Sequence, residues 1–469
     1  SICMKKYLAG MSALFCVLSL LLCGCNQQPS PVSSSVAGSD ANSTDNSTST
    51  SNEGEVKFDP ANQAAFDFND TIKVLAWWSL APTSDTEFNQ KMVESLARVK
   101  DKYNCDIEFL VMDTDTIVPQ MTAAAMSGEV LADVILMRHT WAFPYLAKGG
   151  YLMDIGEFLH TDEKMYNQSV LDIATVDGKL YGFNMGYTNT ESVVYYNKAI
   201  FERYNLPSPQ TYYENNDWTW ERFGEICAQA KQEVNGEVTL WGSGFLDYGK
   251  VEMICNTYGG EVMKYEDGVY KSLLVSQPNI DAITMIHKLT HVDKVCEPRP
   301  NNAPWDYDIQ QFIDGKYAMT VNAISALKKF YTGMDDKYGI VPLPRGGSAT
   351  KHVNFVSEVQ AYTVQATMSR DRAAKVLQIM EDYFSPYNLP DEEVRVDSPY
   401  VYDRTSQQVI NDLSKNTYVS SARGINEYYT LLLKALVDGA TGVKSPSAAL
   451  TEVDSAWEKA INDNLNFKN

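Results

Sequence analysis

The chain reads as a two-domain α/β protein that begins its folded part with a doubly wound sheet, and three observations lead there. At 469 residues it is too long for one simple core. Between residues 70 and 137, strand and helix patterns alternate in the order β-α-β-α-β. Residues 181–223 then run through a strand, a short helix, a proline break and a tryptophan-led helix.

Each element has a local reason. Thr71 to Ser79 is a strand that ends in two tryptophans. Ser84-Asp-Thr-Glu87 has capping-box spacing ahead of Phe88, Met92, Leu96, Val99 and Tyr103, which keep helical periodicity. Asp106 to Met112 alternates as a second strand. Pro119 to Gly128 is an alanine-rich helix, and Ala132 to Met137 is an apolar run suited to a buried parallel strand. Further on, Val193 to Tyr196 is a β-branched and aromatic run of strand length. Asn197 and Lys198 open a short helical pattern. Leu206-Pro207-Ser208-Pro209 then forces an extended passage, because a residue before proline is pushed out of the α region. A cap at Asp217 or Thr219 starts the helix carrying Trp220, Phe223 and Ile226, with Trp218 and Trp220 read as packing residues. Ala373 to Tyr383 reads as another helix, and Ser406 to Leu465 as several more.

The N-terminus carries a compartment signal. Met4-Lys5-Lys6 is basic, and Leu8 to Leu22 is an apolar run too short for a comfortable membrane span. It closes in Leu22-Cys23-Gly24-Cys25, which resembles a bacterial lipobox with Cys25 as the lipidated thiol; Cys23 departs from the usual small residue. Residues 1–25 are therefore expected to be a lipoprotein signal peptide, and 26–65 a disordered Ser/Thr-rich tether. Two or more acyl chains on Cys25 would suffice for stable anchoring.

A formal charge of −21 argues against nucleic acid or an anionic membrane surface as the main partner. No nucleotide-binding glycine loop, zinc-protease or serine-hydrolase motif occurs, and the five histidines lack metal-ligand spacing. Catalytic residues, metal ligands and cofactors are accordingly expected to be none. Beyond the leader stand Cys105, Cys227, Cys255 and Cys296. They could form disulfides in any of three pairings or remain buried thiols.

The order YYNKAIFERYNLPSPQ followed by DWTWERF resembles the family 1 extracellular solute-binding proteins of ABC importers, which include the maltodextrin-binding proteins. In that family a strand ending in Tyr-Asn-Lys follows the first crossing between two lobes, and a Pro-x-Thr-Trp segment comes next. Asp217 to Phe223 fills that place here. Met126 to Leu136, Gly149 to Asp154, Asp177 to Phe183, Tyr258 to Glu261, Glu266 to Tyr270, Phe312 to Asn322 and Tyr338 to Gly346 resemble further family segments in the right order, over about 70–385. The resemblance implies a two-lobed periplasmic-binding-protein-like (type II) α/β fold, each lobe a sheet flanked by helices, joined by a hinge. Crossings are expected near 184–190, 317–323 and 354–362. Lobe 1 would take 66–184 and 318–358, and lobe 2 would take 185–317 and 359–469 with the C-terminal helices.

The same resemblance implies a monomeric, lipid-anchored receptor on the extracellular face. It would capture a carbohydrate, an oligosaccharide for preference, by hinge closure and deliver it to an ABC permease without catalysing a reaction. A receptor for a polyamine or peptide, and a secreted glycan-processing enzyme, stand as alternatives.

Sugar rings offer C–H faces that pack on aromatic rings, while their hydroxyls need polar partners. Candidates therefore sit at strand ends facing the cleft. They are Trp77, Trp78 and Ser79; Arg138, His139 and Trp141; Tyr187; Trp241, Phe245 and Asp247; Trp305; Asn322; Glu358; and Tyr429, where maltodextrin binders present an aromatic. Adjacent strand residues face opposite ways, so one of Trp77 and Trp78 should face the core. Ser325 stands where maltodextrin binders carry a tryptophan, which favours a different saccharide.

Overall fold

The computed structural model describes residues 57–466. The expected signal peptide, Cys25 and the tether up to residue 56 lie outside the described residues. In lobe 1, β1 (Asp70–Ala76) pairs in parallel with β2 (Cys105–Val111) on one side and with β3 (Val134–Arg138) on the other. Parallel neighbours need crossover helices, and α1 (Glu87–Lys102) and α2 (Thr114–Met126) supply them. Thr86 caps α1, its hydroxyl accepting the Asn89 N–H at 3.0 Å, so the helix begins two residues beyond the Ser84 cap the sequence suggested. α2 likewise starts one turn before Pro119.

A fourth strand, Gln360–Thr363, runs antiparallel to β3 and completes the sheet. The helix Arg370–Tyr383 that follows it buries Val376, Leu377, Ile379 and Met380 against Ile72, Val74 and Phe88. In lobe 2, Ser192–Asn197 is the middle strand of an antiparallel sheet, flanked by Met319–Ala323 and Tyr338–Val341. Its core is led by the tryptophan segment. Trp218 and Trp220 are fully buried, and their indole N–H groups donate to the Pro342 carbonyl at 2.7 Å and the Thr257 hydroxyl at 2.8 Å. Thr219 caps the helix Trp220–Ala230.

The strand pairing corrects the expected lobe boundaries. Residues 319–341 belong to lobe 2 and 360–383 to lobe 1, the reverse of the division expected at 318–358 and 359–469. The strand 319–323 takes its lobe from its partner, with Val321 opposite Val194, and the helix 370–383 from the core its apolar face covers. The chain therefore crosses between Phe183 and Ser192, between Val341 and Gln360, and between Tyr383 and Arg404. The last brings the helix Arg404–Leu413 back to lobe 2, where Ser406 accepts the Ile340 N–H at 3.0 Å.

The end of the expected tether is structured. Pro60 is buried, and Phe58 stacks on His160 with ring centroids 3.7 Å apart. Gln63 donates to the buried Glu381 at 3.2 Å, and the carbonyls of Ala61 and Ala64 accept from Lys102 and Gln378. Apolar Phe58 and Phe66 give residues 57–66 the surface to bury that the upstream Ser/Thr run lacks.

Two polar knots hold the crossings. Asn354 is fully buried; its carbonyl accepts the Glu191 N–H at 2.9 Å, while its amide donates to the Asn189 carbonyl at 3.1 Å and the Thr417 hydroxyl at 3.0 Å. Glu191 returns the link by accepting from the Ser357 N–H and hydroxyl at 2.8 and 2.9 Å. A short parallel pair, Asn354–Val356 with Thr417–Val419, lies beside it. In the second knot, His139 at the end of β3 is wholly buried. Its Nδ1 accepts the Val359 N–H at 3.2 Å, which leaves Nε2–H to donate to the Ser420 carbonyl at 2.9 Å. The Ser420 hydroxyl then donates to buried Glu252, which also accepts from Tyr428.

Asn354→Leu removes the amide and leaves its partners unpaired inside the protein, each costing about 1–3 kcal/mol. A lower denaturation midpoint in urea checks this. Burial also holds His352 down at about 4 and His139 below the ordinary histidine range. Both fold neutral, so their contribution is fully present above about pH 6.5, where the unfolded chain's histidines also lose their protons. Stability is expected to fall as pH drops from about 6.5 towards 4, and His352→Gln to flatten that decline in melts across pH.

Candidate functional site

A cavity of about 1040 Å³ lies where the crossings meet. Asn167 and Asn184 line it from lobe 1, Ser325 and Lys328 from lobe 2, and Glu191, Glu358 and Gln360 from the crossing segments. The walls mix amides, carboxylates and an ammonium with Met185, Leu327 and Tyr387.

Glu358 connects this cavity to an aromatic cluster at the ends of β1 and β3. Arg138 Nε stands 3.3 Å from the Glu358 carboxylate, an ion pair rather than an aligned hydrogen bond. The guanidinium lies 5.3 Å from the Trp77 ring and 5.1 Å from that of Trp141, within cation–π range of both. Trp77 and Trp141 are 5.3 Å apart, and Trp78 meets Trp77 edge-on at 4.6 Å. Five of the expected residues thus come together. Trp77 is the half-buried member of the tryptophan pair, and Trp78 is exposed. Trp78 and Ser79 border a smaller hollow of about 320 Å³ against Phe109 and Tyr362.

Tyr187 lines the large cavity near the third crossing. The Arg395 guanidinium lies 4.4 Å from its ring, and its hydroxyl donates to Asp391 at 3.4 Å. Burial pulls the Asp391 carboxyl upward, but its bonds to Lys164 and Lys415 prevail and hold it below the usual range. This aspartate joins a lysine of lobe 1 to one of lobe 2.

Lobe 2 carries a second mixed cluster beside the strand Met319–Ala323, which leads directly into Ser325. Asn322 donates to Asp308 at 2.9 Å, and Asp308 accepts from Lys250 at 2.6 Å. Phe245 stacks on Tyr307 at 6.0 Å, and Arg299 covers Phe245 at 5.5 Å and Tyr248 at 4.3 Å. Trp305 is 74% exposed, with the Lys329 ammonium 4.4 Å from its ring. Tyr429 is 64% exposed and edge-on to Tyr428.

Four expectations do not survive burial, Asn322 among them, with its amide bonded to Asp308. His139 is closed off and both its ring nitrogens are taken by backbone. Asp247 is only 2% exposed, accepting from His291 at 3.0 Å and the Arg299 N–H at 3.3 Å. Phe245 is buried under its two cations. Each offers packing or a fixed bond rather than a free face to a ligand. Trp241 packs in the second core of lobe 2, its backbone bonded to Lys316 and Ala318, and does not reach the large cavity. The sequence reading missed Asn184, Lys328, Gln360 and Arg395, ordinary polar residues with no pattern to mark them.

Elsewhere two hairpins meet across the lobes. Tyr265 donates to Asp177, and the Lys148 ammonium lies 5.9 Å from the Tyr265 ring. Among the described residues no cluster of side chains is arranged to hold a metal ion, and no helix is long and apolar enough to cross a membrane.

Comparison with known proteins agrees with this architecture. A structure of the maltose-binding protein MalE from Listeria monocytogenes in complex with maltose matches 86% of this chain and all of its own, at 15% identity and a TM-score of 0.61. UgpB from Mycobacterium tuberculosis, in complex with glycerophosphocholine, matches 84% of this chain and 98% of its own, at 18% identity and a TM-score of 0.54. An ABC transporter extracellular-binding protein of Pyrococcus horikoshii is 24% identical over 290 residues, which is 58% of this chain and 61% of that relative's length. The model of a family described as bacterial extracellular solute-binding protein matches residues 91–388. With well over half its length matched and a type II two-lobed fold around an interlobe cavity, the chain belongs to the bacterial extracellular solute-binding proteins.

Proposed function

We propose that the protein captures a carbohydrate, for preference an oligosaccharide, between its two lobes and hands it to an ABC permease without chemical change. The observation that carries this reading is the Trp77–Arg138–Trp141 stack joined through Glu358 to a cavity lined by both lobes. Indole faces suit the C–H faces of a pyranose, and the surrounding amides and carboxylates suit its hydroxyls. A ligand touching both lobes favours the closed arrangement by its extra contacts there, so binding shifts an open–closed population. The maltose complex of the Listeria relative supports a sugar. Attachment through a lipid on Cys25 keeps the receptor beside its permease.

One observation favours a second reading. The two indoles and Glu358 already receive a cation, the Arg138 guanidinium, so the same wall could take a quaternary ammonium or polyamine if Arg138 moved aside. The glycerophosphocholine complex of UgpB fits that chemistry.

Thermal unfolding against oligosaccharides, polyamines, choline esters and peptides separates these readings and the enzymatic one. A true ligand at about a hundred times its Kd adds about 2.7 kcal/mol of stability. An oligosaccharide is expected to raise the midpoint and to be recovered intact; a shift with amines alone selects the second reading, and a cleaved sugar the enzyme. Trp77→Ala and Trp141→Ala should each weaken binding by at least about tenfold in calorimetry while the ligand-free protein stays folded. Cys25→Ala should move the protein from the membrane fraction to the soluble one.

A further inference from the structure

Four cysteines lie among the described residues, and all are free thiols there. Cys105 is on β2 in lobe 1, with its sulfur directed at the Val99 carbonyl. Cys255 lies in lobe 2 on the helix Val251–Thr257, its sulfur directed at the Asn279 carbonyl. Cys227 and Cys296 differ from both: their sulfurs face each other at 3.9 Å, deep in lobe 2.

The approach is built into the backbone. Cys227 belongs to the helix Trp220–Ala230, and Cys296 to the strand Cys296–Glu297, paired in parallel with Ser243–Gly244. Gly242 leads into that strand and accepts the helix against its bare backbone. A Cβ there would stand 2.3 Å from both Cα and Cβ of Cys227, a distance no side chain could hold. Only glycine at 242 lets the helix settle where the two sulfurs meet. Placed in an extracellular family, such a pair meets an oxidising environment.

We propose that Cys227 and Cys296 are a disulfide-forming pair, joined in the exported protein, and that Cys105 and Cys255 stay thiols. The oxidant is a small external disulfide. One cysteine thiolate attacks it, forming a mixed disulfide and releasing one thiolate; the second cysteine, having lost its proton, attacks the mixed disulfide and expels the other. The two cysteines lose two electrons, the reagent gains them, and the two protons go to the released thiolates. In the native fold both sulfurs are shut off from solvent and burial holds the Cys227 thiol protonated, so exchange takes place before lobe 2 closes. An S–S bond of about 2.05 Å then needs the sulfurs to close by roughly 2 Å. The bond lies within lobe 2 and spans none of the crossings, so it leaves the lobes free to move.

The test is a peptide map of the full exported chain, denatured and alkylated without reductant. A linked peptide joining Cys227 to Cys296, with Cys105 and Cys255 alkylated, is expected. In Cys227→Ser, Cys296 should become alkylatable and the melting midpoint fall to that of the reduced wild type. The wild-type map decides even if that variant folds poorly. Four alkylated cysteines, or any other linked pair, in chain exported to an oxidising compartment and refolded with oxidised glutathione overturns the proposal.

Discussion

The side-chain amide of Asn354 ties the first two crossings into one body. It is neutral, so burying it carries no ionic desolvation, and its oxygen and amide nitrogen both meet partners inside the knot. Glu191 adds the charged half of the same joint but keeps its carboxylate at the cavity edge, where Ser357 can satisfy it. Residues 189–191 and 354–357 are thereby fixed to each other even though 163 positions separate Glu191 from Asn354. The cavity walls descend from this joint: Glu358 and Gln360 follow it on one segment, and Asn184 and Tyr187 precede it on the other.

The site is chemically richer than its net charge suggests. Although the chain carries −21, charged groups beside the cavity include compensated pairs, Arg138 with Glu358 and, next to Tyr187, Asp391 with Lys164 and Lys415. Compensated pairs hold polar groups in fixed directions without presenting a large field of one sign. The aromatic faces beside them provide area at little cost in side-chain freedom.

Local pattern made much of the fold readable. The β-α-β-α-β succession, the Asn197 and Thr219 caps and the buried tryptophans all rest on residues close in sequence. Lobe membership rests on pairing at long range, and a strand such as Met319–Ala323 has the same pattern whichever sheet it joins. The site divides in the same way. That Trp77, Arg138 and Trp141 come together follows from their places at or just beyond the ends of neighbouring strands. The Arg138–Glu358 pair joins residues 220 positions apart, and nothing near either announces it. His139 was a candidate for the reason that made Arg138 one, its place at a strand end; it opens the helical turn that follows, and both its ring nitrogens are taken inside the protein. Asp247 misled for another reason: an aspartate in a glycine-rich loop looks solvated until His291, from a separate helical turn, is folded against it.

The clamp on residues 57–66 has a mechanical consequence. Phe58 on His160, Gln63 on Glu381 and the carbonyls of Ala61 and Ala64 all grip lobe 1. Any pull transmitted along the chain from upstream of Lys57 is therefore borne first by lobe 1, and it reaches lobe 2 through the crossings and through direct contacts such as Tyr265 with Asp177. The described chain thus enters the molecule on lobe 1, on one side of the cavity that both lobes line.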